Sequence, residues 1–219
     1  MVEAPLVTRY LQCFQNTWSN ETSIDDIRFV ALDCETTGLN PRVDKIVTVG
    51  TVGIQGNEIL IEDSFEALLK VGSNTGAVTV HGVTRDESRA GMEESQALEL
   101  LLDHLKDAVI VGHHIGHDIA SLNAAYDRNW GFTLLNRSVD TMSLTLHLER
   151  AGAFEGRPAI QDFTLDALCE RFRIVPHGRH TAAGDAFLTA EIFLRLLPLA
   201  RRFGRARLDL MCEPFQAER

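Results

Sequence analysis

Phe29-Val30-Ala31-Leu32-Asp33-Cys34-Glu35-Thr36-Thr37-Gly38-Leu39 runs four apolar residues straight into Asp33, with a second carboxylate, Glu35, two positions on. An apolar run of this kind reads as a strand buried on both faces. Side chains alternate along a strand, so Asp33 and Glu35 point one way and Cys34 the other. Two carboxylates side by side at a strand end repel unless a proton or a cation sits between them. Mg²⁺ suits such a place, because it takes oxygen ligands from a few carboxylates together with phosphate oxygens. A lone D-x-E is more often an exposed acidic strand end, so the pair needs partners elsewhere in the chain.

Around this stretch the pattern alternates. Val7, Leu11, Phe14 and Trp18 stand at helical spacing and predict a short amphipathic helix docked on its own domain. Lys45 to Ile54 and Glu58 to Ile61, separated by Gln55-Gly56-Asn57, predict a hairpin beside the first strand. Thr84-Arg85-Asp86-Glu87 has capping-box spacing and predicts a short helix from Thr84. Ser95 to Lys106 places Leu98, Leu101, Leu102 and Leu105 on one helical face. Ala108 to His113 is a second buried strand, with a helix from Ile115 to Arg128 that carries Asp118 in its first turn. Ser138 to Thr141 is a short strand end leading into a helix from Met142 to Arg150. A further helix spans Thr164 to Phe172, and the last runs from near His180 to Pro198. A meander followed by strands alternating with helices predicts an α/β fold, a mixed sheet with helices on both faces.

Composition excludes several classes. The 219 residues, 45% of them hydrophobic, suffice for one sizeable core without staples. Cys13, Cys34, Cys169 and Cys212 form no C-x-x-C pair, which argues against a zinc knuckle or a disulfide framework and for a reduced, cytoplasmic setting. No apolar stretch approaches membrane-spanning length, so no membrane partner is expected. The net charge of −10 argues against nucleic acid at first sight. Its distribution weakens that objection: residues 1–110 hold 8 Lys and Arg against 18 Asp and Glu, whereas residues 111–219 hold 13 of each. Arg201, Arg202, Arg205 and Arg207 form the one dense basic cluster, read here as a solvated helix end.

The missing partners are Asp118 and Asp185, each early in a helix that can reach the sheet edge where Asp33 and Glu35 emerge. Four carboxylates there could hold two metal ions about 3.5–4 Å apart, the arrangement that stabilises attacking and leaving oxygens in phosphodiester cleavage. His180 lies five residues before Asp185. On one helix the two side chains would diverge by roughly 140°, which places His180 on the preceding Gly178-containing loop, free to swing over the metals. Imidazole is the side chain suited to taking a proton from water near neutral pH.

With these residues in order, the chain resembles the DEDDh (DnaQ-like) 3′–5′ exonucleases, the group that includes the proofreading epsilon subunit of bacterial DNA polymerase III. The resemblance rests on Asp33-Cys34-Glu35-Thr36-Thr37-Gly38-Leu39, Val111-Gly112-His113-His114-Ile115-Gly116-His117-Asp118 and His180-Thr181-Ala182-Ala183-Gly184-Asp185-Ala186. Val80-His81-Gly82-Val83-Thr84 and Val139-Asp140-Thr141 match auxiliary segments of the family.

The resemblance implies a ribonuclease-H-like exonuclease domain over residues 28–197, flanked by an N-terminal helical extension (1–27) and a short basic tail (198–219). It implies two divalent ions, Mg²⁺ or Mn²⁺: Asp33 would bridge both, Glu35 and Asp185 would complete the first site, and Asp118 would serve the second, directly or through water. His180 would be the general base. Thr36, Thr37, Gly38, Leu39 and His81 would contact the terminal nucleotide, Leu39 as a wedge against its base. The implied activity is removal of nucleotides from a free 3′ end of DNA, single-stranded for preference. RNA or short oligoribonucleotides are the alternative, and a non-catalytic binding module is disfavoured because a pure binder has no use for repelling carboxylates. His114 and His117 depart from the Asn and Phe common in the second motif, which bears on pocket shape. With His113 they suggest zinc only superficially, since no cysteine lies near. Asp140 reads as a helix N-cap rather than a fifth ligand. Nothing in Asp209 to Arg219 indicates a polymerase partner.

Overall fold

The computed structural model describes residues 5–71, 90–156 and 158–215. The helix expected from Thr84 lies outside them. Five strands form one sheet: β1 (Phe29–Thr36), β2 (Ile46–Gln55), β3 (Glu58–Leu68), β4 (Val109–Gly112) and β5 (Ser138–Asp140). Their order across the sheet is β3-β2-β1-β4-β5. β1, β2 and β3 pair antiparallel, while β4 and β5 join parallel to β1 and to each other. This is the mixed sheet the pattern predicts, and the parallel half requires helical crossovers.

Those helices are α1 (Pro5–Cys13), α2 (Glu94–Leu105), α3 (Gly116–Trp130), α4 (Thr141–Arg150), α5 (Leu165–Phe172), α6 (Ala182–Arg202) and α7 (Leu208–Met211). They divide between the two faces of the sheet. Phe29 and Ala31 join α4, α5, α6 and α7 in one buried cluster. Val30, Leu32 and Cys34 join α1, α2 and α3 in the other. The alternation along β1 therefore directs Asp33 and Glu35 to the α6 face.

Three boundaries differ from the sequence reading by more than two residues. α1 buries Leu6, Val7 and Tyr10 and ends at Cys13; Trp18 lies beyond it, its indole N–H donating to the Asp107 carbonyl at 2.8 Å. β3 continues past Ile61 to Leu68, because after a register shift the ladder to β2 resumes at Ser64, and Asp63 within the polar run pairs with Arg28. α6 passes Pro198 and ends at Arg202. Proline removes one amide donor, but Pro198 is exposed, so the carbonyl it frees can meet water, while the flanking Leu197 and Ala200 stay buried.

The four arginines after Pro198 are not a free basic surface. Arg201 pairs with Asp25, Arg205 with Glu213 and Arg207 with Asp209, and Arg202 lies over the Phe203 ring. Leu208 and Met211 of α7 are buried in the α6-side core. All four cysteines are free thiols. Among the described residues no helix is long and apolar enough to cross a membrane.

Candidate active site

The site forms where β1 meets the start of α6. Asp33 pairs in register with Gly50 of β2. A side chain at Gly50 would place its Cβ 2.3 Å from the Ala183 amide nitrogen, so the bare backbone there lets the first turn of α6 sit directly on the sheet. Gly184 serves the same end: a Cβ on it would lie 2.0 Å from the Gly178 carbonyl oxygen, against which the preceding loop closes. Thr181 caps the helix, its hydroxyl accepting from the Gly184 amide at 3.1 Å and donating to the Gly178 carbonyl at 2.7 Å. Asp185 thereby arrives beside the strand. One oxygen from each of Asp33, Glu35 and Asp185 lies within 4.8 Å of the others, and among the described residues this trio is the one such group of His, Cys, Asp and Glu.

Asp118 approaches from the other face, in the first turn of α3. It stands outside the trio, and its Oδ1 accepts from the backbone N–H of Cys34 at 2.9 Å. Cys34 lies between Asp33 and Glu35, so this bond fastens Asp118 to the strand that carries them. The structure thus brings Asp33, Glu35 and Asp185 into one compact group and sets Asp118 beside the strand that carries two of them.

Their electrostatics are unfavourable by themselves. Burial first, then Asp118, Asp185 and Glu35, pushes the Asp33 carboxyl well above the usual carboxylate range. Burial and Asp185 raise Glu35 to about 7. Burial likewise raises Asp118 to about 7, against the opposing bond from Cys34. Arg179 opposes these shifts at Asp33 and Glu35. Its guanidinium forks onto Asp166 at 2.6 and 3.0 Å and reaches Asp185 with Nη1. The sequence reading missed Arg179 and Asp166, which lie 13 residues apart in different elements with no motif spacing to join them.

Asp185 has one oxygen occupied and one free. Its Oδ2 accepts from Arg179 and from the His180 backbone N–H at 3.3 Å. Its Oδ1 is buried with no hydrogen-bond partner. A buried carboxylate oxygen left unpaired is costly, and hard divalent cations satisfy such oxygens. The all-oxygen donor set fits Mg²⁺ or Mn²⁺.

His180 sits in the turn before α6 with φ of 63°, exposed to solvent. That is the loop position its spacing implied. In the β1–β2 loop, the Thr36 hydroxyl donates to the Gly38 carbonyl at 2.7 Å and lies 3.4 Å from His117 Nε2. Thr37 donates to Asp44 at 3.0 Å, and Leu39 is exposed. His81 lies outside the described residues.

The remaining histidines do not converge on a common point. The His113 ring stacks on His114, and its Nδ1 meets the Thr141 hydroxyl at 2.9 Å. Burial lowers its pKa to about 4, so it is neutral at pH 7. His114 Nε2 faces the Met142 sulfur, whereas His117 turns toward Thr36. Asp140 caps α4 by accepting from the Met142 amide at 3.0 Å, and also accepts from the His114 amide at 3.0 Å.

A sequence model of the exonuclease family matches residues 30–193. The chain belongs to that family. Its relatives include a PolC-type DNA polymerase III from Thermotoga maritima, 30% identical over 96% of this chain and 15% of that protein. A DNA polymerase III subunit epsilon-like protein from Rhodobacter capsulatus is 33% identical over 84% of this chain and 26% of its own length. This exonuclease-family chain therefore spans a minor part of the curated relatives it matches. Escherichia coli exonuclease I in complex with a dT13 oligonucleotide superposes with a TM-score of 0.69 over 82% of this chain and 43% of the other, at 18% identity. The exonuclease fold here is the ribonuclease-H-like one that the resemblance implied.

Proposed function

We propose that this chain is a divalent-cation-dependent 3′–5′ exonuclease that removes nucleotides from the 3′ end of single-stranded DNA. The observation that carries the reading is the convergence of Asp33, Glu35 and Asp185, together with an Asp185 oxygen that is buried and unpartnered. Membership of the exonuclease family supports it, as does the single-stranded oligonucleotide named with the E. coli structural neighbour.

Two divalent ions, Mg²⁺ or Mn²⁺, would supply there the positive charge that stabilises the attacking and leaving oxygens of an in-line displacement. Asp33, Glu35 and Asp185 would hold the first, and Asp118 together with Asp33 would serve the second. His180 accepts the proton of the attacking water as oxygen bonds to phosphorus. The bond from phosphorus to the 3′ oxygen of the preceding nucleotide breaks and that oxygen takes a proton from solvent water, releasing a 5′-mononucleotide and leaving a new 3′-hydroxyl. The Asp185–His180 backbone bond ties the base-bearing turn to a first-site ligand, so the two move together. Thr36 to Leu39 and His81 hold the terminal nucleotide, with Leu39 against its base.

The test is a gel assay of 3′-labelled and 5′-labelled DNA and RNA strands with Mn²⁺ or Mg²⁺. The 3′ label is expected to leave at once as a mononucleotide, while the 5′-labelled strand shortens stepwise and a circular strand survives. Circles cut as fast as linear strands would overturn the exonuclease reading. RNA degraded faster than DNA would transfer the same chemistry to an oligoribonucleotide substrate.

A further inference from the structure

The loop from Thr37 to Lys45 returns the chain from β1 to β2, and an isolated excursion of this length has little to hold its shape. Here one carboxylate does so. Asp44 Oδ1 accepts from the Thr37 hydroxyl at 3.0 Å, and its Oδ2 accepts from the Asn40 backbone N–H at 2.8 Å. The two bonds fall on either side of Gly38-Leu39. Gly38 presses on the same group: a Cβ there would lie 2.6 Å from Asp44 Oδ2, so only glycine leaves the carboxylate its place.

The frame around this group is closed at both ends. Thr37 N–H donates to the Lys45 carbonyl at 2.9 Å, and Lys45 N–H returns to the Thr37 hydroxyl at 3.0 Å. Asn40 turns the chain, its carbonyl accepting from Val43 and Asp44 at 3.0 and 2.8 Å. The outcome is a rigid rim that presents two apolar side chains to solvent, Leu39 at 87% exposure and Val43 at 73%. Holding large apolar groups in water costs hydrophobic free energy, so a loop braced to display them suits contact with a flat apolar ligand face such as a nucleobase. Asp44 is not among the converged carboxylates of the candidate metal centre.

We propose that Asp44 is a positioning residue for substrate, fixing the Thr37–Val43 rim so that Leu39 and Val43 meet the terminal bases of a single strand. This rests on the exonuclease reading above. Asp44 touches neither the cations nor the reacting phosphate. Its loss therefore acts on binding of the strand end and leaves the chemical step nearly intact.

The experiment compares wild type with Asp44→Ala, Asp44→Asn and Gly38→Ala on a 5′-labelled oligodeoxynucleotide, together with calorimetric Mn²⁺ titration of each. Asp44→Ala is expected to raise KM about tenfold with kcat within about twofold, the pattern of lost ground-state positioning. The Mn²⁺ dissociation constant should match that of wild type. Asp44→Asn should lie between the two, since its amide oxygen can accept only one of the two bonds. Gly38→Ala should reproduce the Asp44→Ala defect by evicting the carboxylate. An Asp44→Ala protein with the wild-type KM overturns the proposal while leaving the exonuclease reading standing. So does one whose Mn²⁺ affinity falls together with its rate, because that places Asp44 in the cation centre or the fold. A wild-type chain that binds Mn²⁺ and leaves the strand intact overturns the exonuclease reading and this proposal with it.

Discussion

At the scale of single residues, the site is a set of acids held closer than their charges favour. Glu35 and Asp118 carry pKa values raised to about 7, so the folded metal-free protein keeps protons that the unfolded chain releases. The sign follows directly: the stability of that form is highest below the ordinary carboxylate range and falls as pH rises toward 7. Thermal melts in chelator should show a falling Tm from pH 5 to pH 8, with Mn²⁺ restoring it at the upper end. Asp118→Asn keeps the Oδ1 acceptor for Cys34 and removes one buried charge. It should therefore stabilise the metal-free protein at pH 8 by about 1–3 kcal/mol. His180 is a different kind of residue. Under the general-base role proposed for it, replacement by alanine should cut turnover by about 10²–10⁴ while cation binding survives, measurable by single-turnover rates beside calorimetry. A His180→Ala protein that stays folded and cleaves at the wild-type rate would remove His180 from the mechanism. Asp33, Glu35, Asp118 and Asp185 could be picked out in the sequence because strand alternation and helix starts fix where such side chains point. Arg179, Asp166 and Asp44 could not. Each acts through a contact between segments whose approach no local pattern encodes.

At the scale of elements, the decisive fit is α6 on β2. In the sequence, Gly50 is one small residue within the run Lys45 to Ile54 that predicts a strand. In the fold it is the point where the first turn of α6 touches the sheet, opposite Asp33. Gly50→Val should push that turn outward, carrying Asp185 away from Asp33 and Glu35. The expected result is a loss of about 1–3 kcal/mol from overpacking together with a marked fall in Mn²⁺ affinity, read by denaturant melts and titration. If Mn²⁺ affinity were unchanged, the close approach would be irrelevant to the site. Strongly periodic elements such as α2 and β1 were readable because burial dictates their pattern. β3 was underestimated because the ladder to β2, rather than apolar periodicity, sustains its polar half. Pro198 misled for a related reason: local chemistry marks it as a stop, while packing of Leu197 and Ala200 carries α6 onward.

At the scale of the whole molecule, two hydrophobic layers clamp one sheet, and the carboxylates gather where β1 and the first turns of α3 and α6 meet. The C-terminal arginines looked in sequence like a basic end open to solvent. Most instead hold carboxylates nearby, and α7 is anchored in the core beside α6 by Leu208 and Met211. Leu208→Ala should thus cost about 2–5 kcal/mol by denaturant unfolding, with KM for a DNA strand unchanged. A stability within about 0.5 kcal/mol of wild type would show that α7 is not part of the core. The central claim, that the gathered carboxylates act through divalent cations on a strand end, is tested most directly by one titration. Cleavage of a linear 5′-labelled single strand is followed as Mn²⁺ is added back to protein held in excess EDTA. No cleavage is expected at the start, with recovery of stepwise shortening as Mn²⁺ exceeds the chelator and no recovery for Asp33→Ala. Full cleavage while EDTA is still in excess would contradict that claim.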